Sequence, residues 1–128
     1  AYTALVTETL RPLLEEALSD SSITAWVAAN DPTAMACLRY LAEQRVRVPQ
    51  DISLIGFDNS TDAFIHGLTS YDFNCPVVVQ RMLAHILDPA SLRRIQRGTD
   101  PIEVKGFLSR RATLAKCSRA PQQRRPCG

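Results

Sequence analysis

Three short clusters carry the side chains best suited to chemistry or binding: Asn30-Asp31, Asp58-Asn59 and Tyr71-Asp72-Phe73-Asn74. Asparagine offers amide donors and a carbonyl acceptor, and ionised aspartate offers acceptors only. An aromatic face covers apolar ring carbons. Together these groups suit a small polyhydroxylated ligand, so Asn30, Asp31, Asp58, Tyr71, Asp72 and Phe73 are the candidate ligand-binding residues. Structural roles compete at two places, because Asp31 precedes Pro32 and can cap a helix, and Asn59 suits a turn. A rival reading makes Asp58 and Asp72 an acid/base pair or magnesium site, as in a phosphoacceptor. The sequence contains no G-x-x-x-x-G-K-[ST] phosphate loop, no G-x-G-x-x-G, no H-E-x-x-H and no G-x-S-x-G elbow. The expectation is a binding module without catalytic residues, metal or cofactor.

The cysteines point the same way. Cys37, Cys75, Cys117 and Cys127 form no C-x-x-C pair, and His66 and His85 stand at no metal-ligand spacing from them. Reduced thiols are expected, with Cys37 a small buried hydrophobe among apolar helix positions.

These clusters need elements to hold them. Val6, Leu10, Leu13, Leu14, Ala17 and Leu18 recur at helical steps and predict a helix from Thr3, kinked at Pro12. Ile23 to Ala29 is a continuous apolar run, which predicts a central parallel strand buried on both faces. Asp31-Pro32 opens a second helix through about Arg45, with Ala34, Met35, Leu38, Leu41 and Ala42 on its apolar stripe. Ile52 to Phe57 is a second buried strand, and Leu68 to Asp72 a third after a short turn closed by Gly67. Asn74, Cys75 and Pro76 begin a helix striped by Val78, Val79, Met82, Leu83 and Ile86 and ended by Asp88-Pro89. Ser91 to Arg97 adds a short helix, and Ile102, Val104 and Phe107 alternate with polar residues as a last, half-exposed strand. This rhythm predicts the α/β class, a parallel sheet flanked by helices. Ligands of such sheets gather beyond the carboxyl ends of the strands, where all three clusters fall.

A chain of 128 residues, 45% hydrophobic and 22% charged, is long enough for one compact domain. Neither apolar stretch, Ile23 to Ala29 or Ile52 to Phe57 with its Ser53 and Gly56, approaches the ~20 residues that cross a bilayer, so no membrane span is expected. Ala1 to Leu14 lacks the pattern of a secretory signal, which makes the cytoplasm the expected compartment. Of 15 basic residues, Arg119, Arg124 and Arg125 sit in Cys117 to Gly128, and the remainder closely balances 13 acids. A body of near-zero charge is a poor surface for phosphates, so DNA binding by this segment is not expected. The domain is expected over residues 1–116, with 117–128 a basic disordered tail.

Three segments then fix a resemblance: Val27-Ala28-Ala29-Asn30-Asp31, Arg47-Val48-Pro49-Gln50-Asp51-Ile52-Ser53-Leu54-Ile55-Gly56-Phe57-Asp58-Asn59 and Leu68-Thr69-Ser70. In this order and at this spacing they resemble the effector domain of LacI/GalR-type transcriptional regulators. Val104 to Lys116 is similar to that family's final strand and its R-x-[ST] ending. Leu68 to Asn74 with Gly106 to Arg111 resembles the branch that carries a GntR-type winged helix-turn-helix.

The resemblance implies the carboxy-terminal lobe of a type I periplasmic-binding-protein-like fold, with an effector held between two lobes. It implies that Asn30 and Asp58 contact the effector, that Tyr71 to Phe73 lie on a crossing between lobes, and that Ala34, Met35 and Leu38 lie at a dimer interface. A plain core helix accounts for that last stripe equally well. Phe73 departs from the family, in which many members carry a polar residue there. The implied partners are a small effector such as a sugar, a second copy in a homodimer, and DNA through a helix-turn-helix domain outside this chain. The amino-terminal lobe is also implied to lie outside it, leaving an orphaned apolar face on the helix from Pro76, to be covered by self-association, swapping or refolding. A sugar-binding protein of a transport system shares the same fold and is the alternative.

Overall fold

The computed structural model describes residues 2–88 and 103–117. In chain order the elements are α1 (Tyr2–Ser19), β1 (Ala25–Val27), α2 (Asp31–Glu43), β2 (Ser53–Phe57), α3 (Thr61–Ile65), β3 (Thr69–Asp72), α4 (Cys75–Leu87) and β4 (Phe107–Ser109). The strands form one sheet in the order β1-β2-β3-β4, with β1, β2 and β3 parallel and β4 antiparallel to β3. The expected α/β class with a mainly parallel sheet is what the chain adopts. The expected helix at 91–97 and the tail from Ser118 lie outside the described residues.

The core lies between the sheet and a layer made by α2, with α1 packed on α2. Trp26, Leu54 and Leu68 meet Ala34, Cys37, Tyr40, Leu41 and Leu14 there. Helix α1 runs through Pro12, and its buried stripe is narrower than expected, since Thr7 and Leu14 are buried but Leu13 is exposed. Leu13 stands at the edge of the arc defined by residues 7, 10, 14 and 17, where a 3.6-residue period turns it outward. Cys37 is buried in α2, and desolvation pushes its thiol pKa up, as expected of a small hydrophobe rather than a nucleophile.

Two strand expectations require correction. Strand β1 is an edge of the described sheet, and its burial alternates, with Val27 68% exposed. A short apolar run states that a strand can be covered on both faces; it does not supply the cover. The final strand is Phe107–Ser109, later than the alternation of Ile102, Val104 and Phe107 suggested, and Glu103 to Gly106 lead into it without strand pairing. Beyond β4 the chain passes along the amino-terminal ends of β2 and β3. There Thr113 lies between β2 and β3: its hydroxyl donates to Leu54 O (2.7 Å) and accepts from Thr69 N (2.8 Å), and its carbonyl accepts from Leu54 N (2.8 Å).

Candidate functional site

The sheet registers set the site. Val27 pairs with Ile55, and Phe57 pairs with Tyr71. Because the strands are parallel, the same registers carry the chain exits at Asn30, Asp58 and Asp72 to one end of the sheet. The three clusters therefore come together as expected.

Within them, the roles divide. Asn30 is the N-cap of α2: its Oδ1 accepts from Thr33 N at 2.9 Å, and Asp31 and Pro32 open the helix behind it. The cap is therefore Asn30 rather than Asp31, and since its Oδ1 is taken by the cap, what this half-buried residue can offer a ligand is its Nδ2 end. Asp31 is fully buried. Its Oδ2 accepts from Ser60 N at 2.7 Å and its Oδ1 from Ser70 Oγ at 2.6 Å. This corrects the assignment of Asp31 as a ligand contact. The buried carboxylate finds one donor on the loop before α3 and one on β3, and so ties the start of α2 to both. Space for it comes from Gly56, where a Cβ would overlap Asp31 Oδ1 and stand 3.1 Å from Leu68 Cδ2.

Asp72 is also occupied. Its Oδ2 accepts from Asn59 Nδ2 at 2.8 Å and its Oδ1 from Asn74 N at 2.6 Å. Both oxygens thus serve the loop. Asp58 differs, because it is exposed and its backbone is left-handed (φ 99), with its N–H donating to Tyr71 O at 3.0 Å. Asn59 follows, also at positive φ, so the chain reverses sharply there.

Beside Asp58 stands an aromatic cluster. Phe57 lies 5.9 Å from both Tyr71 and Phe73, stacked on the latter, and Tyr71 meets Phe73 edge-on at 5.3 Å. The Tyr71 ring lies so close over Gly106 that a Cβ there would overlap it. Phe73 is 47% exposed and offers an apolar surface at this end of the sheet. Phe57 was not singled out from the sequence, where it reads as the last residue of a buried strand; its pairing with Tyr71 arises only from the register.

Two further residues escaped the sequence reading. Arg111 donates from Nη1 to Leu68 O (2.7 Å), from Nη2 to Asn59 Oδ1 and from its backbone N–H to Thr69 Oγ1 (2.9 Å). Ser70 passes the chain of bonds on, accepting from Asn59 N at 2.9 Å while donating to Asp31. The nearest sequence signal for Arg111 is its place in the R-x-[ST] ending. The Arg47 to Asp51 part of the long motif, by contrast, sits before β2, at the opposite end of the sheet. There Asp51 accepts from Arg47 N, Nε and Nη2 at 2.9, 2.9 and 2.7 Å, which closes a turn and raises the Arg47 pKa.

The proposed dimer stripe on α2 is corrected in part. Ala34 is fully buried, within 3.3 Å of the position a Gly56 Cβ would take, and cannot meet a partner. Met35 and Leu38 are half-buried and pack against the core cluster. Among the described residues no cluster of His, Cys, Asp and Glu could hold a metal ion, and no helix is long and apolar enough to cross a membrane.

Residues 2–104 match the family described as a periplasmic binding protein-like domain. No curated protein matches the sequence. Among solved structures, a LacI-family regulator from Corynebacterium glutamicum is 29% identical at a TM-score of 0.59, the match covering 80% of this chain and 39% of that one. A PurR-family regulator from Vibrio parahaemolyticus is 26% identical at 0.65, covering 91% and 41%. The regulator CelR in complex with cellobiose is 27% identical at 0.62, covering 88% and 33%. This chain thus spans less than half the length of these structures. Matched over most of its residues and sharing the fold of these regulators, the chain belongs to the periplasmic binding protein-like domain family, in its LacI-type branch.

Proposed function

We propose that this chain is the effector-sensing part of a bacterial transcriptional regulator, binds a small polar ligand of the saccharide class, and performs no chemistry. The observation that carries this reading is that Asn30 and the exposed Asp58 follow the carboxyl ends of neighbouring parallel strands, the end of the sheet where Phe57, Tyr71 and Phe73 form a ring cluster. Hydroxyl groups of a sugar satisfy the former and its apolar ring face rests on the latter. The cellobiose complex of a relative supports the same class of ligand. In the whole regulator, a cytoplasmic homodimer with a helix-turn-helix of the GntR or LacI type, ligand binding favours one lobe arrangement over another. Such coupling is typically about 1–3 kcal/mol, enough to move operator affinity severalfold to a hundredfold.

Titration with glucose, galactose, ribose and cellobiose, followed by nuclear magnetic resonance, tests the proposal. At least one should bind, and Asp58→Ala should weaken it about tenfold or more without unfolding the domain, because Asp58 is exposed. Failure of the whole panel to bind, or full affinity in Asp58→Ala, sinks the reading. Phosphorylation of Asp58 by a small phosphodonor would instead establish the phosphoacceptor alternative.

A further inference from the structure

We infer that Arg111 is a positioning residue of the effector site, one that fixes the direction of the Asn59 amide and through it the spacing between Asp58 and the Tyr71–Phe73 segment. The inference rests on the reading of this end of the sheet as the ligand site. Its basis is the polarity of a three-residue relay. Arg111 Nη2 donates to Asn59 Oδ1, and Asn59 Nδ2 donates to Asp72 Oδ2 at 2.8 Å. Asp72 Oδ1 then accepts from Asn74 N at 2.6 Å.

An asparagine amide has one accepting and one donating end, whereas guanidinium only donates and ionised carboxylate only accepts. With Arg111 on one side and Asp72 on the other, a single orientation of Asn59 satisfies both. Without Arg111 the amide is free to turn, and the turned form sets Oδ1 against the Asp72 carboxylate. Arg111 is itself fixed at three further points: Nη1 on Leu68 O (2.7 Å), its N–H on Thr69 Oγ1 (2.9 Å), and its guanidinium 5.7 Å from the Phe64 ring centre.

The relay joins the turn after β2 to the end of β3. Asp58 immediately precedes Asn59, and both hold left-handed backbone, so the direction of the Asp58 carboxylate depends on how this turn is anchored. Asp72 stands between Tyr71 and Phe73, the two rings of the aromatic surface. Arg111 donates to Asn59 and the β3 segment; its part is to hold the groups that meet the ligand.

The test uses the 128-residue chain, the same four saccharides, and three variants: Arg111→Ala, Asn59→Asp, and Asn59→Asp combined with Asp72→Asn. Arg111→Ala should weaken saccharide binding about ten- to a hundredfold. Asn59→Asp keeps the acceptor for Arg111 but sets two carboxylates face to face, and should weaken binding similarly. The double variant exchanges the two side chains and restores every donor–acceptor pair, so it should recover most of the affinity; a purely space-filling role would not produce that rescue. Side-chain amide spectra give a readout independent of any ligand. The Asn59 Nδ2 protons should be slow to exchange, lose that protection in Arg111→Ala, and be replaced by a protected pair at position 72 in the double variant.

Wild-type affinity in Asn59→Asp, or a folded double variant no better than the single one, overturns the inference. If no saccharide binds the wild type, the ligand assignment of the preceding section fails, and the amide spectra alone decide: unprotected Asn59 protons, or protection unchanged in Arg111→Ala, then overturn the role of Arg111.

Discussion

Asp31 accepts one bond from the Ser60 amide and one from the Ser70 hydroxyl while fully withdrawn from solvent. Replacing it with asparagine keeps the shape but turns one acceptor into a donor: set toward Ser60 it meets an N–H, and set toward Ser70 it makes the hydroxyl accept and leaves the hydroxyl proton without Asp31 as its acceptor. Asp31→Asn should therefore lose about 1–3 kcal/mol of stability, measured by urea unfolding followed through the single tryptophan, Trp26. A loss under about 0.5 kcal/mol would mean the two bonds add nothing net. The type of residue 31 was legible from sequence as a polar group at a helix start. Its burial was not, because the space is made by Gly56 and the partner hydroxyl lies 39 positions away. Asp72 was hidden in the same way, its carboxylate claimed by the side chain of Asn59 and the backbone of Asn74. Asp58, exposed at its turn, remained as the sequence presented it.

Among the elements, α2, β2 and β3 were legible nearly to the residue. Asp31 with Pro32 gives a strong helix start, although the capping side chain proves to be Asn30, and β2 and β3 carry apolar runs of strand length. Strand β4 was not. Three residues bear almost no periodic signal, and its place is set by pairing with β3 and by the segment that follows it. Thr113 anchors that segment with one hydroxyl shared between β2 and β3. Thr113→Val, nearly equal in volume, leaves Leu54 O and Thr69 N without that partner in a buried place, and should cost about 2–3 kcal/mol. Amide exchange at Thr69 should quicken in the variant. An unchanged midpoint of unfolding together with unchanged exchange would contradict this account of how the closing segment is held.

At the scale of the molecule, the apolar stripe read on α4 is present and uncovered among the described residues. The helix has no buried residue, and Met82 and Ile86 are 58% and 63% exposed. The stripe itself was plain from residue spacing, but what covers it depends on surfaces that local sequence does not encode. Binding of the dye anilinonaphthalene sulfonate should be readily detected, and Met82→Glu with Ile86→Glu should reduce it strongly. Thermal stability should stay within a degree or two of wild type, since neither side chain contributes to the core. A large loss of stability in that double variant would place the stripe against the body of the domain.

The hydrogen-bonded web from Asp31 through Ser70 and Asn59 to Arg111 and Asp72 engages these side chains with one another at this end of the sheet. Such a scaffold separates the residues that hold from the residues that touch. If the proposed saccharide site holds, descendants of this sequence would change ligand preference by exchanging Asp58 or Phe73 alone, whereas a change inside the web would demand a matching change in its neighbour, so novelty would arise at the rim rather than beneath it.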